Sequence, residues 1–111
     1  MIRQTQKANV LLVEAKSLDI LCMGGFEKAL EKYLDAENSQ IFLDFGNVEE
    51  VSSAILGIIL HKKMKLRKKG IEIYLLNVTP GIQRILKILN LTSLLLHSRT
   101  NFMYAPAIPM A

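Results

Sequence analysis

The sequence predicts an α/β domain with a mixed, mainly parallel sheet of about four to five strands and helices packed largely on one face. The chain has 111 residues, half of them hydrophobic, which suits one globular domain with one core. Short β-branched and apolar segments alternate with segments whose apolar residues recur at helical spacing. Because this alternation is typical of α/β folds, we expect one domain over residues 1–96, followed by a Pro-containing tail over residues 97–111.

Four segments have the composition of strands. Asn9–Ala15 and Gln40–Phe45 are short and apolar, and Gly70–Val78 shows the little polar alternation expected of a central strand. Leu18–Met23 is a further candidate, joined to the first segment by a tight turn of two residues. A segment with the pattern of a helix follows each of the candidates Leu18–Met23, Gln40–Phe45 and Gly70–Val78.

Three segments have the pattern of helices. Residues 24–38 carry apolar side chains at helical spacing, with glutamate and lysine on the opposite face. Ser53–Lys69 is apolar in its first turns and basic in its last ones. The third helix has the clearest boundaries: Thr79 suits the N-cap, Pro80 suits the first helical position, and Asn90 can end the helix in a left-handed conformation.

The residue types exclude several classes of chemistry. Cys22 is the only cysteine, so the chain can form neither an intrachain disulfide nor a thiolate metal cluster. His61 and His97 do not stand at a metal-ligand spacing, and the adjacent Glu49 and Glu50 would point in different directions, which makes them a poor acid and base pair. We therefore expect no metal, no cofactor and no enzymatic activity.

The longest uninterrupted apolar run has seven residues, far fewer than the roughly 20 that a membrane-spanning helix needs. The N-terminal segment lacks a secretory cleavage site. These features predict a soluble, cytoplasmic protein without direct membrane insertion.

Six of the eight residues from Lys62 to Lys69 are lysine or arginine. Cations in the last turns of a helix complement the negative end of its macrodipole, and Gly70 then suits the helix end. No aromatic residue is interleaved with these charges to stack on bases, so we expect no nucleic-acid binding.

Two adjacent serines stand where the second predicted helix begins. The side-chain oxygen of Ser52 can accept a hydrogen bond from the free N–H groups of the first turn, which makes Ser52 a good N-cap. Ser53 would then be the first helical residue, and a phosphate on it would meet free N–H groups and the positive end of the dipole. These residues by themselves are compatible with a plain helix cap and with a phosphorylation switch.

The order of four motifs resembles the STAS family, the sulfate-transporter and anti-sigma-factor-antagonist domains. The stretch SLDILCMGGFEKAL is similar to the family's Leu-Asp pair followed by a helix, with Asp19 at the recurrent aspartate. IFLDFGNVEEVSSAILGIIL is similar to its hydrophobic strand and phosphorylation loop, and KKGIEIYLLNVTP to its Gly-led strand and Asn-Val-Thr-Pro turn. IQRILKILNLTSLL resembles the helix and closing segment that follow. The resemblance covers residues 10–96 and implies a single STAS-like domain.

The resemblance implies an anti-sigma factor antagonist that acts by partner switching. Such a protein, unphosphorylated, binds an anti-sigma factor that is also a serine kinase, and thereby releases a sigma factor. Phosphorylation breaks the complex and a phosphatase resets it. Alignment of Leu56-Gly57 with the family's Leu-Gly makes Ser53 the acceptor, with Ser52 as the second choice. The implied partner surface comprises Asp19, Asn47, Val48, Glu49, Glu50, Ser52, Ser53, Ala54 and Ile55.

Two departures from the family pattern favour an alternative, a non-switching scaffold or the soluble subunit of a membrane transport or stress-signalling assembly. Ile55 stands where glycine is usual, and a β-branched side chain there would take room from an approaching kinase. The tail does not match the family's last helix, and its residues Met103, Tyr104 and Ile108 make a homodimer worth testing.

Overall fold

The computed structural model describes residues 2–7, 9–34 and 40–95. Within these ranges the strands are Ile2–Gln4 (β1), Val10–Val13 (β2), Ser17–Leu18 (β3), Gln40–Asp44 (β4), Glu50–Val51 (β5) and Glu72–Leu76 (β6). The α-helices are Met23–Glu31 (α1), Ser53–Arg67 (α2) and Pro80–Ile88 (α3), with 3₁₀ turns at Ile20–Cys22 and Thr92–Leu94.

The main sheet has the strand order β1-β2-β4-β6, and β3 pairs with β5 in a separate two-stranded sheet. β1 is antiparallel to β2, whereas β2, β4 and β6 are parallel. In this register Leu43 of β4 lies between Leu11 of β2 and Leu75 of β6. The predicted mixed, mainly parallel sheet is therefore confirmed.

The main core lies between one face of the sheet and the helices. Side chains alternate along each strand, so every second residue of β2, β4 and β6 points into this core. Strand and helix side chains join there in one cluster that includes Leu11, Leu43, Ile73, Phe26, Ile59 and Leu86. On the opposite face the rings of Phe42 and Tyr74 stack with centroids 6.0 Å apart.

The predicted helix boundaries are confirmed where a cap defines them. Ser52 and Thr79 are the N-caps of α2 and α3, and each side chain accepts a hydrogen bond from the N–H three residues on. Gly70 and Asn90 have positive φ, +80° and +59°, just beyond the ends of these helices. The first helix is shorter than predicted, since α1 ends at Glu31 and residues 35–39 lie outside the described ranges.

The prediction of a strand over Leu18–Met23 is wrong. Only Ser17 and Leu18 are extended, as β3, and the chain turns at Asp19. The Asp19 carboxylate accepts a hydrogen bond from the N–H of Leu21 at 2.9 Å and so starts the 3₁₀ turn. A capping aspartate has overridden the β-like composition of the segment. The predicted two-residue turn is wrong as well, because Ser17 belongs to the strand.

Strand β1 was not predicted. Its sequence, Ile-Arg-Gln, has a single apolar residue and no pattern to distinguish it from a polar terminus. Ile2 is buried because β1 pairs with β2 and so places this side chain over the core. The tail at residues 97–111, with the residues proposed for self-association, lies outside the described ranges.

Candidate functional site

The pairing of β3 with β5 brings two loops together at the N-terminal end of α2. The backbone N–H groups of Glu49 and Glu50 donate to the Lys16 carbonyl at 2.8 and 3.1 Å. The N–H of Ser52 donates to the Leu18 carbonyl at 2.8 Å. These bonds fix the segment that ends in Asp19 beside the segment that leads into the two serines.

The two serines differ in what their hydroxyls do. Ser52 has extended backbone angles, and its Oγ accepts a hydrogen bond from the N–H of Ile55 at 3.4 Å. Ser53 is the first residue of α2 and is exposed, and its Oγ has no hydrogen-bond partner among the described residues. One hydroxyl is therefore engaged in capping the helix, and the other faces solvent.

Backbone donors are available beside the Ser53 hydroxyl. The first N–H groups of an α-helix have no partner within the helix. In the described part of the chain the N–H groups of Ser53 and Ala54 form no hydrogen bond, while those of Ile55 and Leu56 bond to the Ser52 carbonyl. The helix start thus offers two free donors and the positive end of the dipole to an anionic group on Ser53.

The predicted partner residues separate into surface and core positions. Asp19, Asn47, Glu49, Glu50 and Ser53 are exposed, and Ser52 and Ala54 are half-buried. Val48 and Ile55, by contrast, are both 0% exposed and belong to the main core. Their side chains therefore support the loop from within and do not lie on its surface.

The burial of Ile55 corrects the expectation drawn from its β-branched side chain. Ile55 is the third residue of α2, and with Leu56 and Ile59 it packs against the sheet. Its side chain therefore takes no room from a protein that approaches Ser53. On the outer side of the helix Gly57 is exposed, and an added Cβ there would meet nothing within 4 Å.

Asp44 holds the turn that leads into the loop. Its Oδ1 accepts hydrogen bonds from the N–H of Gly46 at 2.8 Å and from Nδ2 of Asn77 at 3.1 Å. Asn77 has a φ of 56°, a left-handed conformation that asparagine tolerates better than most residues. The sequence analysis placed Asn77 at the end of a predicted strand, in the Asn-Val-Thr-Pro turn, but did not identify it as a support of this site.

An exposed apolar pair lies next to the site. Ile20 is 63% exposed and Leu21 is 90% exposed, both on the 3₁₀ turn that Asp19 caps. This turn packs against α2. The sequence analysis missed both residues because it assigned them to a strand.

The surface of the site is acidic in character and carries a shallow groove. The groove has a volume of about 440 Å³ and is lined by Glu14, Ala15, Lys16, Gly46, Asn47 and Glu49. Across the three described ranges, no group of three or more His, Cys, Asp or Glu side chains is placed to hold a metal ion. None of the helices in these ranges is long and apolar enough to cross a membrane.

The chain belongs to the STAS domain family, whose sequence model matches residues 2–102. Among solved structures, the anti-sigma factor antagonist SpoIIAA in its unphosphorylated form superimposes with a TM-score of 0.71 at 13% identity, covering 97% of this chain and 98% of SpoIIAA. A Thermotoga maritima protein described as an anti-sigma factor antagonist gives a TM-score of 0.67 at 22% identity, covering 86% of this chain and 81% of the other. No curated protein sequence matches the chain. At these identities the likeness establishes the fold.

Proposed function

We propose that this protein is an anti-sigma factor antagonist controlled by phosphorylation of Ser53. With Ser53 unmodified it binds an anti-sigma factor that has serine kinase activity, and a sigma factor is released. The observation that carries the proposal is the exposed hydroxyl of Ser53 at the start of α2, which has no hydrogen-bond partner among the described residues. The likeness of the fold to antagonist structures, one of them named in its unphosphorylated form, supports the same role.

The geometry favours Ser53 over Ser52 as the acceptor. A phosphate on Ser53 can accept hydrogen bonds from the two free N–H groups beside it. The Ser52 Oγ is instead engaged in the cap, an interaction that typically contributes about 1 kcal/mol, so it is the less available of the two hydroxyls. Modification of Ser53 is therefore compatible with an intact domain.

We propose that the partner contacts the exposed residues of the two loops. These are Asp19, Asn47, Glu49, Glu50 and Ser53, together with the half-buried Ser52 and Ala54 and the apolar pair Ile20 and Leu21. Val48 and Ile55 hold the loop in place from the core.

Phosphorylation would add about −1.5 to −2 charges to a surface that already carries exposed carboxylates. A partner surface that fits the neutral serine would then meet an additional, hydrated anion, so the complex is expected to dissociate. The protein supplies the acceptor hydroxyl alone, while the kinase supplies ATP and the catalytic groups and a phosphatase restores the hydroxyl. On this proposal the protein acts in the cytoplasm and is not an enzyme.

Phosphate mapping tests the proposal directly. The purified protein is incubated with lysate of its own host, ATP and Mg²⁺, and the modified residue is located by tandem mass spectrometry. We expect phosphate on Ser53, none in a Ser53→Ala variant, and normal modification of a Ser52→Ala variant. Phosphate on Ser52 alone would contradict the assignment of the acceptor.

An unmodified protein, in a lysate that does phosphorylate a known antagonist, would refute the switch. That result would favour a non-switching STAS scaffold, or the soluble subunit of a membrane transport or stress-signalling assembly. In that case the two serines would act only in starting the helix.

A further inference from the structure

The end of α2 opposite Ser53 forms one side of a groove of about 460 Å³. The described residues that line it are Glu31, Leu34, Lys62, Lys65, Leu66, Lys68 and Lys69. Glu31 ends α1 and the lysines belong to the last turns of α2 and the residues after it, so the C-terminal ends of both helices meet at this groove.

The lysines of the groove are of two kinds. Lys62 is buried, with Nζ at 2.7 Å from Oε2 of Glu31 and 3.3 Å from Oε2 of Glu27, so its charge is matched. Lys65, Lys68 and Lys69 are exposed, and none of them forms an ion pair with a residue of the described ranges. The hydrogen bond and charge of Lys62, with a smaller contribution from the charge of Lys65, lower the pKa of Glu31. Within the described ranges Lys68 and Lys69 are therefore the rim lysines without a carboxylate partner.

The helix dipole does not account for all three charges. The C-terminal end of each helix is equivalent to about half of a negative charge, so α1 and α2 together contribute about one at this groove. Lys65 stands three residues before Lys68, the C-cap of α2, a spacing at which like charges destabilise a helix, and Lys69 follows directly. An anion bound among these ammonium groups would relieve their repulsion.

The groove also has apolar walls. Leu34 is half-buried and Leu66 is 8% exposed, and the methylene stems of the surrounding lysines extend the apolar surface. Small-molecule sites commonly have this size and combine an apolar lining with a few charged groups. The groove thus offers both a cationic rim and an apolar floor.

We propose that this groove binds a single-chain amphiphilic anion, a molecule with a carboxylate, sulfate or phosphate head on an apolar chain. The head lies among Lys65, Lys68 and Lys69, and the chain lies along Leu34 and Leu66. The proposal is independent of the function proposed for Ser53, since the two sites occupy opposite ends of α2.

A membrane surface and a nucleic acid fit the groove less well. Polybasic segments that bind membranes usually present four to eight cations, whereas here three exposed lysines border a concavity. Proteins that bind single-stranded nucleic acids stack bases on aromatic side chains, and the described lining of the groove is free of them.

The test is a titration of the full chain, labelled with ¹⁵N, with three probes followed by NMR. Decyl phosphate, used below the concentration at which it aggregates, provides both head and chain. Inorganic phosphate provides the head and decanol the chain. We expect saturable shifts at the amides of Leu34 and Lys65–Lys69 with decyl phosphate, and binding about tenfold or more weaker with either of the other probes.

A triple variant, Lys65→Gln, Lys68→Gln and Lys69→Gln, is expected to weaken decyl phosphate binding about tenfold, because it removes three exposed charge interactions. A double variant of α3, Arg84→Gln and Lys87→Gln, removes exposed cations elsewhere and should bind as the wild type does. All five positions are exposed, so both variants should fold, which their circular dichroism spectra will show.

Several results would overturn the proposal. They are equal affinity for inorganic phosphate and decyl phosphate, unchanged binding by the triple variant, and shifts spread over the sheet instead of the groove. Binding to anionic vesicles without binding to monomeric decyl phosphate would assign the patch to a membrane surface. Salt-dependent binding of an oligonucleotide alone would assign it to nucleic acid.

Discussion

Replacing Ser52 by alanine removes the side chain that caps α2, whereas replacing Ser53 by alanine removes an exposed hydroxyl. The loss of a serine N-cap lowers the free energy of unfolding by about 0.5–2 kcal/mol. The Ser52 Oγ accepts from the Ile55 N–H at 3.4 Å, longer than the usual 2.9–3.0 Å of N–H···O bonds. We therefore expect the lower half of this range for Ser52→Ala, about 0.5–1 kcal/mol.

The expected effect of Ser53→Ala is close to zero. The hydroxyl has no partner among the described residues, and alanine is a better helix former than serine. The change in free energy of unfolding should stay within about 0.5 kcal/mol, as for other exposed positions. In a domain of about this size 1 kcal/mol shifts the melting temperature by roughly 4–8 °C, so Ser52→Ala should melt about 2–8 °C below the wild type.

Urea denaturation followed by circular dichroism measures both variants. Ser52→Asp is the matched control, because aspartate also caps helices well and should restore most of the stability. Equal destabilisation by Ser52→Ala and Ser53→Ala would refute the distinction between a capping and a free hydroxyl. A stable Ser52→Ala variant would show that the long hydrogen bond contributes nothing, and the argument against Ser52 as acceptor would then fail.

Three further predictions concern the buried Lys63 of α2, its partner Glu72 and the turn before the loop. Lys63→Met should lower the free energy of unfolding, measured by urea denaturation, by about 2 kcal/mol. The buried Nζ donates to Glu72 at 3.1 Å and to the Ile73 carbonyl at 2.8 Å, and it lies 4.3 Å from the centroid of the Tyr74 ring. Because methionine also removes the cost of burying a charge, part of this loss is offset, and an unchanged denaturation midpoint would contradict the prediction. Burial raises the pKa of Glu72, but the hydrogen bonds and charges of Lys63 and Arg67 together more than offset this and hold the pKa below its usual 4.5. The contribution of Glu72 to the free energy of unfolding should be complete above about pH 4.5 and lost as the pH falls through the lower folded-state pKa. The Lys63→Met variant should therefore lose less stability than the wild type when both are acidified. Parallel curves of stability against pH would count against the pair. Asp44→Ala removes the acceptor of two hydrogen bonds, so it should lower the free energy of unfolding by about 1–2 kcal/mol. It should also speed amide hydrogen exchange in the loop that follows. Unaltered exchange in that loop would show that Asp44 does not hold the turn.

Local signals in the sequence predicted the helix boundaries and the position of the candidate acceptor. Ser52, Thr79 and Pro80 act within one turn of their own helix, and Asn90 adopts its left-handed conformation next to the residue that ends α3. Because caps and turns involve residues close in sequence, their outcome depends little on the rest of the fold. The alternation of apolar segments likewise determined that the fold is α/β.

The tertiary structure decided which residues of the site are exposed. Ile55 was expected on the partner surface, but α2 packs against the sheet with the Ile55 side chain directed into the core. Ile20 and Leu21 were expected in a strand, but the cap at Asp19 and the pairing of β3 with β5 leave them exposed beside α2. The packing of α2 and the pairing of β3 with β5 join segments far apart in the chain, and composition and periodicity carry no record of such contacts, whereas the Asp19 cap is local.

The two ends of α2 show the same division. The sequence alone shows two serines at the start of this helix and a basic run at its end. It therefore determined that one end of the helix offers hydroxyl groups and that the other is cationic. Only the folded chain pairs Lys62 with Glu31 and buries Lys63 beside Glu72, leaving Lys68 and Lys69 without carboxylate partners in the described ranges. Charge is a property of each residue, whereas its neutralisation depends on which distant carboxylates the fold brings within reach.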